Sequence, residues 1–196
     1  MSLKKTFIAL FFFITVAITS HGQVFVKGTK MLSAGIGLGD RYLILSGYNM
    51  VVPPLQLNFD YGITEKLGIG YIGVGGLLSY SVNRYDYSNS IFNYNYRYTY
   101  TNITIASRAT YHFDLGIEKV DLYAGAILGF NIASRSETYT GNGIPASNFS
   151  LDPPGNGGLV VGPFAGARYM FNEHFGAYSE LGYTVSIFTL GLTYKF

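Results

Sequence analysis

Six side chains in this sequence could do chemistry together if the fold gathers them: Asp60, Arg108, His112, Asp121, Arg168 and Glu180. An acid beside a histidine can orient a base, and Ser107 stands near His112 in the chain, so hydrolysis is the first chemistry to test. In an extended strand successive side chains point to opposite faces, and positions 107 and 112 differ in parity. Nucleophile and base would face away from each other, so no enzyme is expected. Gly68, Gly70 and Gly73 have the spacing of a dinucleotide-binding loop, which carries that meaning only between a strand and a helix. Val74 to Tyr80 follows with no helical start and no polar face, so these glycines read as strand positions where side chains must be small or the sheet bends. Cysteine is absent, which removes thiol nucleophiles, thiolate metal sites, disulfides and a lipid-modified terminal cysteine. No cofactor and no metal is expected.

The elements that must position the six residues are strands. Ile103, Ile105, Ser107, Ala109, Tyr111 and Phe113 alternate with Asn102, Thr104, Ala106, Arg108, Thr110 and His112. The same two-residue period runs through Val120–Ile132 and Leu159–Phe171. Further strands are expected near Met31–Leu38, Leu55–Ile63, Leu67–Val82, Gly176–Val185 and Ile187–Phe196, with the one that holds Arg108 near Thr101–Phe113. That makes eight, several of them longer than the five or six residues usual in a soluble strand and close to the roughly 9–11 that cross a bilayer at a tilt. Asp60, Arg108, Asp121, Arg168, Glu180 and Lys195 all share the parity of the polar face in their strands. A lipid-facing Arg or Lys at mid-bilayer costs about 2–4 kcal/mol, whereas charges turned into a lumen find partners. The expected fold is therefore all-β: an eight-stranded antiparallel up-and-down transmembrane β-barrel, closed so that no backbone polar group is left facing lipid.

Composition agrees with that surface. Charged residues are only 12% of the 196, against about 25% in soluble domains, while aromatics reach 17% without a tryptophan. Lys4 and Lys5 precede an uncharged apolar run from Phe7 to Thr19, and Ser20-His21-Gly22 offers a small-x-small cleavage site. Residues 1–22 read as a signal peptide and 23–196 as one barrel domain. Removal of the two lysines leaves 11 basic and 11 acidic residues, so no basic surface for nucleic acid remains. Short turns at Ile63–Lys66, Asp114–Lys119 and Asn172–Phe175 alternate with long segments at Gly39–Pro54, Asn83–Arg97 and Ser134–Gly158, which read as loops on the opposite side.

Several of these segments resemble small eight-stranded outer-membrane barrels of the OmpA/OmpX-like type: Asp60 to Gly68, Tyr111 to Leu115, Tyr123 to Gly125, Gly166 to Tyr169, Glu180 to Tyr183 and Leu190 to Phe196. The resemblance implies a monomer in the bacterial outer membrane. It also implies that Phe188, Leu190, Leu192, Tyr194 and the final Phe196 are the signal read by the barrel-assembly machinery.

Inside so narrow a barrel, Asp60, Arg108, His112, Asp121, Arg168 and Glu180 are expected to form one structural polar network that plugs the lumen. His112 should pair with Asp121 across the turn between their strands. A tight hairpin centred on His174 would set Arg168 against Glu180 as a direct ion pair, with Gly166 opposite Gly182. The expected role is structural or surface-interacting, the alternatives being a narrow gated pore and a loop-borne adhesin or receptor. Several of the tyrosines in the outer segment Tyr85 to Tyr100 are read as extending the barrel beyond the membrane and anchoring it in lipopolysaccharide, the alternative being a contact surface for a host, phage or glycan partner; lipid and lipopolysaccharide are the expected partners.

Overall fold

The computed structural model describes residues 23–39, 48–89, 94–141 and 157–196. The proposed signal peptide lies outside the described residues, as do parts of the three long connections. Eight antiparallel strands close into one barrel in sequence order: β1 (Lys30–Leu38), β2 (Tyr48–Gly62), β3 (Gly70–Asn89), β4 (Tyr94–Phe113), β5 (Val120–Gly141), β6 (Gly158–Met170), β7 (Phe175–Gly182) and β8 (Phe188–Lys195). β1 and β8 pair from Met31↔Lys195 to Leu38↔Phe188 and so remove both free edges.

Alternation decides which face is which. Along β4, Ala106, Arg108, Thr110 and His112 are buried inside, while Ile105 and its same-parity neighbours face out. Leu57 on β2, Leu128 and Phe130 on β5, Val161 on β6 and Leu192 on β8 are likewise exposed on the outer wall. At the short-turn end, rings on that wall stack edge to face: Tyr111 with Phe113, Tyr169 with Phe171, and Tyr194 with both Phe175 and Phe196.

The strands run farther than the hydrophobic pattern indicates. β2 begins at Tyr48, β3 and β4 pair through Asn89↔Tyr94, and β5 continues to Gly141, so much of what reads as loop is sheet. Among the described residues β5 has no partner on the β6 side beyond Asn131↔Gly158, and the far ends of β2–β5 form a wall that projects past the other described strands. Its inner face carries Tyr48, Tyr85, Tyr96, Tyr98, Tyr100 and Tyr139, packed as one cluster with Tyr96, Tyr98 and Tyr100 buried. These tyrosines extend the barrel wall, as the sequence suggests, but the clustered ones turn inward and not outward toward lipopolysaccharide. The connection between β7 and β8 occupies residues 183–187 and folds Val185 and Ser186 inward.

Candidate functional site: the charged lumen

All six residues singled out from the sequence meet inside the barrel. Three carboxylates and two guanidinium groups alternate across the lumen. Arg168 Nη1 donates to Asp121 Oδ2 at 3.0 Å, and its Nη2 donates to Asp60 Oδ2. Asp60 Oδ1 lies 2.9 Å from Arg108 Nε, a charge contact whose N–H points out of line for a hydrogen bond. Arg108 Nη2 then donates to Glu180 Oε1 at 2.6 Å, and the Tyr123 hydroxyl donates to the same oxygen at 2.8 Å. Aromatic rings flank the guanidinium planes: Arg168 lies 4.2 Å from the Tyr123 ring centre and Arg108 4.3 Å from that of Phe164. The side chains of Asp60, Arg108, Asp121 and Arg168 are at most 3% exposed. Each of these charges needs the others, because a buried ion without a partner carries its full desolvation cost.

His112 joins the network as expected, with Nδ1 2.8 Å from Asp121 Oδ1 and Nε2 2.9 Å from Thr110 Oγ1. The carboxylate accepts only if Nδ1 carries the proton, so in the neutral ring Nε2 accepts from the threonine hydroxyl. Ser107, by contrast, is on the outer wall and donates to the Leu128 carbonyl. The serine and histidine are on opposite faces, and no nucleophile–base pair forms between them.

The expected Arg168–Glu180 ion pair is not made. Asn172 Oδ1 accepts from the backbone N–H groups of His174 and Phe175, and the N–H groups of Phe171 and Asn172 both bond the Phe175 carbonyl. This tightens the turn around Glu173 and moves the register two residues from the expected one. Glu180 faces Gly166, Arg168 faces Tyr178, and Gly182 faces Phe164 rather than Gly166. A two-residue slip preserves parity, so every charge stays inside while the partners change.

Two further parts of the lumen were not singled out from sequence. At the short-turn mouth the segment before β1 turns back into the barrel. Gly28, at a φ of 84°, permits the turn, and its N–H bonds the Gly62 carbonyl at 2.8 Å. Phe25 is 1% exposed, with its ring stacked on His112 at 3.5 Å between centres. Val24, Met31 and Met170 pack around it. Gly62 and Gly73 make the room, since a Cβ on Gly73 would come within 2.9 Å of the Phe25 ring. At the other end Gln56 Nε2 donates to Ser186 Oγ at 2.7 Å and Thr189 Oγ1 at 2.8 Å. Val185 and Phe164 close over Leu77, Ala106 and Ile127, leaving a cavity of about 30 Å³ above Arg108 and Glu180. That is room for no more than a water or two.

A closed eight-stranded barrel with an apolar outer wall and an ionic lumen defines a membrane-spanning β-barrel. The chain has the fold of the small outer-membrane barrels. It resembles the outer membrane protein OprG from Pseudomonas aeruginosa with a TM-score of 0.51 at 14% identity, over 91% of this chain and 99% of that one. The N-terminal β-barrel domain of Pseudomonas aeruginosa OprF gives a TM-score of 0.44 at 15% identity, over 88% and 100% of the two chains. Ail, the attachment invasion locus protein of Yersinia pestis, gives 0.40 at 15% identity, over 87% and 99%. The chain matches no family model and no curated protein.

Proposed function

We propose that this chain is an integral, monomeric protein of the bacterial outer membrane whose work is structural or surface-interacting, with a lumen closed to solutes and no catalytic activity. The observation that carries this reading is the division of the wall: large apolar side chains outside, and inside a chain of ion pairs from Asp121 to Glu180 bracketed by Phe25 and Val185. Eight strands enclose an interior that side chains can fill, and the ionic layer has packed groups above and below it. The same-parity residues Phe188, Leu190, Leu192 and Tyr194 of β8, with the final Phe196, suit recognition by the barrel-assembly machinery; Leu190, Leu192 and Phe196 are exposed and the other two half-buried. A surface-interaction role is favoured over a purely structural one by the projecting β2–β5 wall, which no bilayer-spanning requirement explains.

Two measurements test the proposal together. Envelope fractionation with unboiled gels should find a heat-modifiable species in the outer membrane. Planar-bilayer recording of the refolded protein should find no discrete conductance. Steady single-channel openings would replace the closed lumen by a pore, and recovery in the soluble fraction would end the membrane assignment.

A further inference from the structure

We propose that Gln23 is a modification site: as the first residue of the mature chain it cyclises to a pyroglutamyl lactam, which caps the segment that closes the short-turn mouth. The inference rests on the outer-membrane reading above and on removal of residues 1–22 as a signal peptide.

Gly22 is the small residue after which the leader is expected to be cut, so Gln23 inherits the new α-amine. A glutamine in that position carries nucleophile and electrophile in one residue. An α-amine with an ordinary value of about 7.7–8.0 is partly unprotonated at neutral pH. Its nitrogen attacks the side-chain Cδ and closes a five-membered ring, a geometry in which the reacting atoms are already held together. The bond formed joins the α-nitrogen to Cδ, and the bond from Cδ to the amide nitrogen breaks. That nitrogen leaves as ammonia, having taken one proton from the attacking amine. No oxidant, cofactor or metal is required.

The barrel gives this reaction a place. The residues just after Gln23 are pinned inside it, with Val24 and Phe25 4% and 1% exposed. Val26 N–H donates to Thr29 Oγ1 at 3.1 Å, and Gly28 N–H to the Gly62 carbonyl at 2.8 Å. Gln23 is half-buried and lines a cavity of about 590 Å³ at the same mouth. The ring therefore has room to close while Val24 and Phe25 stay where they are.

Charge makes the lactam the better terminus for this plug. The other ionisable side chains on the cavity wall are Glu118, Glu173, Lys119, Lys195 and His174. The acids and lysines balance, two against two. A free α-ammonium would add an unmatched positive charge next to buried Val24, where water reaches it incompletely. Cyclisation removes that charge and leaves a neutral N–H and C=O.

The test uses the barrel produced with its own leader and extracted from the outer membrane, its intact mass read at once and without digestion. The mass should equal that of the chain from Gln23 less one ammonia. Stepwise N-terminal degradation should be blocked until a pyroglutamyl peptidase is added. Gln23→Asn should show the full mass and a free amine, because its lactam would be a strained four-membered ring. A wild type with the full mass and a free amine would overturn the modification, as would a lactam that forms only on storage. A chain that starts elsewhere than Gln23 would overturn the assigned terminus. Absence of the protein from the outer membrane would overturn the membrane reading, and this inference with it. The capping role has its own readout. In a Thr110→Cys background, a small maleimide should label several times faster when Gln23→Asn keeps the ammonium in place, and equal rates would overturn that role.

Discussion

Glu180 on β7 gives its carboxylate to Arg108 on β4, across the lumen, although Arg168 stands on the strand next to it. The pairing ties together strands far apart in the sheet, so it resists distortion of the barrel's cross-section and not merely the slip of one hairpin. Glu180→Gln should cost about 3–5 kcal/mol, because Arg108 keeps a buried charge with one partner fewer. A double-mutant cycle measured by denaturant unfolding should give a coupling of about 0.5–3 kcal/mol between positions 108 and 180. The coupling between 168 and 180 should be smaller, carried through Tyr123 and Asp60. A larger 168–180 coupling would place the β6–β7 register where the sequence first suggests it.

Phe25 closes the short-turn mouth by stacking on His112 in a socket that Gly62 and Gly73 leave open. Truncating a buried aromatic to alanine costs about 3–5 kcal/mol, and Phe25→Ala should fall in that range. The absence of native cysteine permits a clean accessibility test. In a Thr110→Cys background, a small maleimide should label slowly with Phe25 present and much faster in Phe25→Ala. Equal labelling rates would mean that the segment before β1 does not seal the mouth.

The strands within the bilayer were legible in the sequence because lipid on one side and a filled lumen on the other impose opposite demands on alternate residues. Asp60, Arg108, His112, Asp121, Arg168 and Glu180 could be collected by parity alone. The partners were not legible, since parity survives a two-residue slip and the Asn172 side chain sets that slip at the β6–β7 turn. The length of the projecting wall and the inward turn of its rings were less legible for a different reason. Above the bilayer neither face is apolar in the usual sense, yet Tyr94, Tyr96, Tyr98 and Tyr100 keep the two-residue period, and that signal marks a strand. Phe25 had no periodic signal at all, because a single residue after a turn belongs to no repeat.

Leu192 and Phe196 separate stability from assembly. Leu192 sits mid-strand on the outer wall of β8, opposite Ala34, and is largely exposed. Leu192→Arg should lower the stability of the barrel in vesicles by about 2–4 kcal/mol, while Leu192→Ile should leave it nearly unchanged. Phe196 is tied to Lys30 only through its backbone N–H, and its ring is exposed. Phe196→Ala should therefore change refolded stability little but reduce the amount of barrel found in the envelope. Normal envelope levels would remove the final aromatic from the assembly signal.

Lys66 and Asp114 join the β2–β3 and β4–β5 turns at the short-turn end through a hydrogen-bonded ion pair, outside the spanning segments. The hydrogen bond from Lys66 holds the Asp114 carboxyl below its ordinary 3.8, and the same bond raises the Lys66 ammonium above its ordinary 10.5. For Asp114, a folded value below the unfolded one means that its contribution is fully present above the unfolded value and is lost as pH falls through the folded one. For Lys66, a folded value above the unfolded one means that its contribution is present below the unfolded value and is lost as pH rises through the folded one. The pair should therefore contribute a constant, small amount between about pH 4 and 10 and fade outside that window. Carboxyl NMR should place the Asp114 midpoint below 3.8, and Lys66→Gln should move it back up toward that value. An unchanged midpoint in Lys66→Gln would mean that the two turns are not joined in solution.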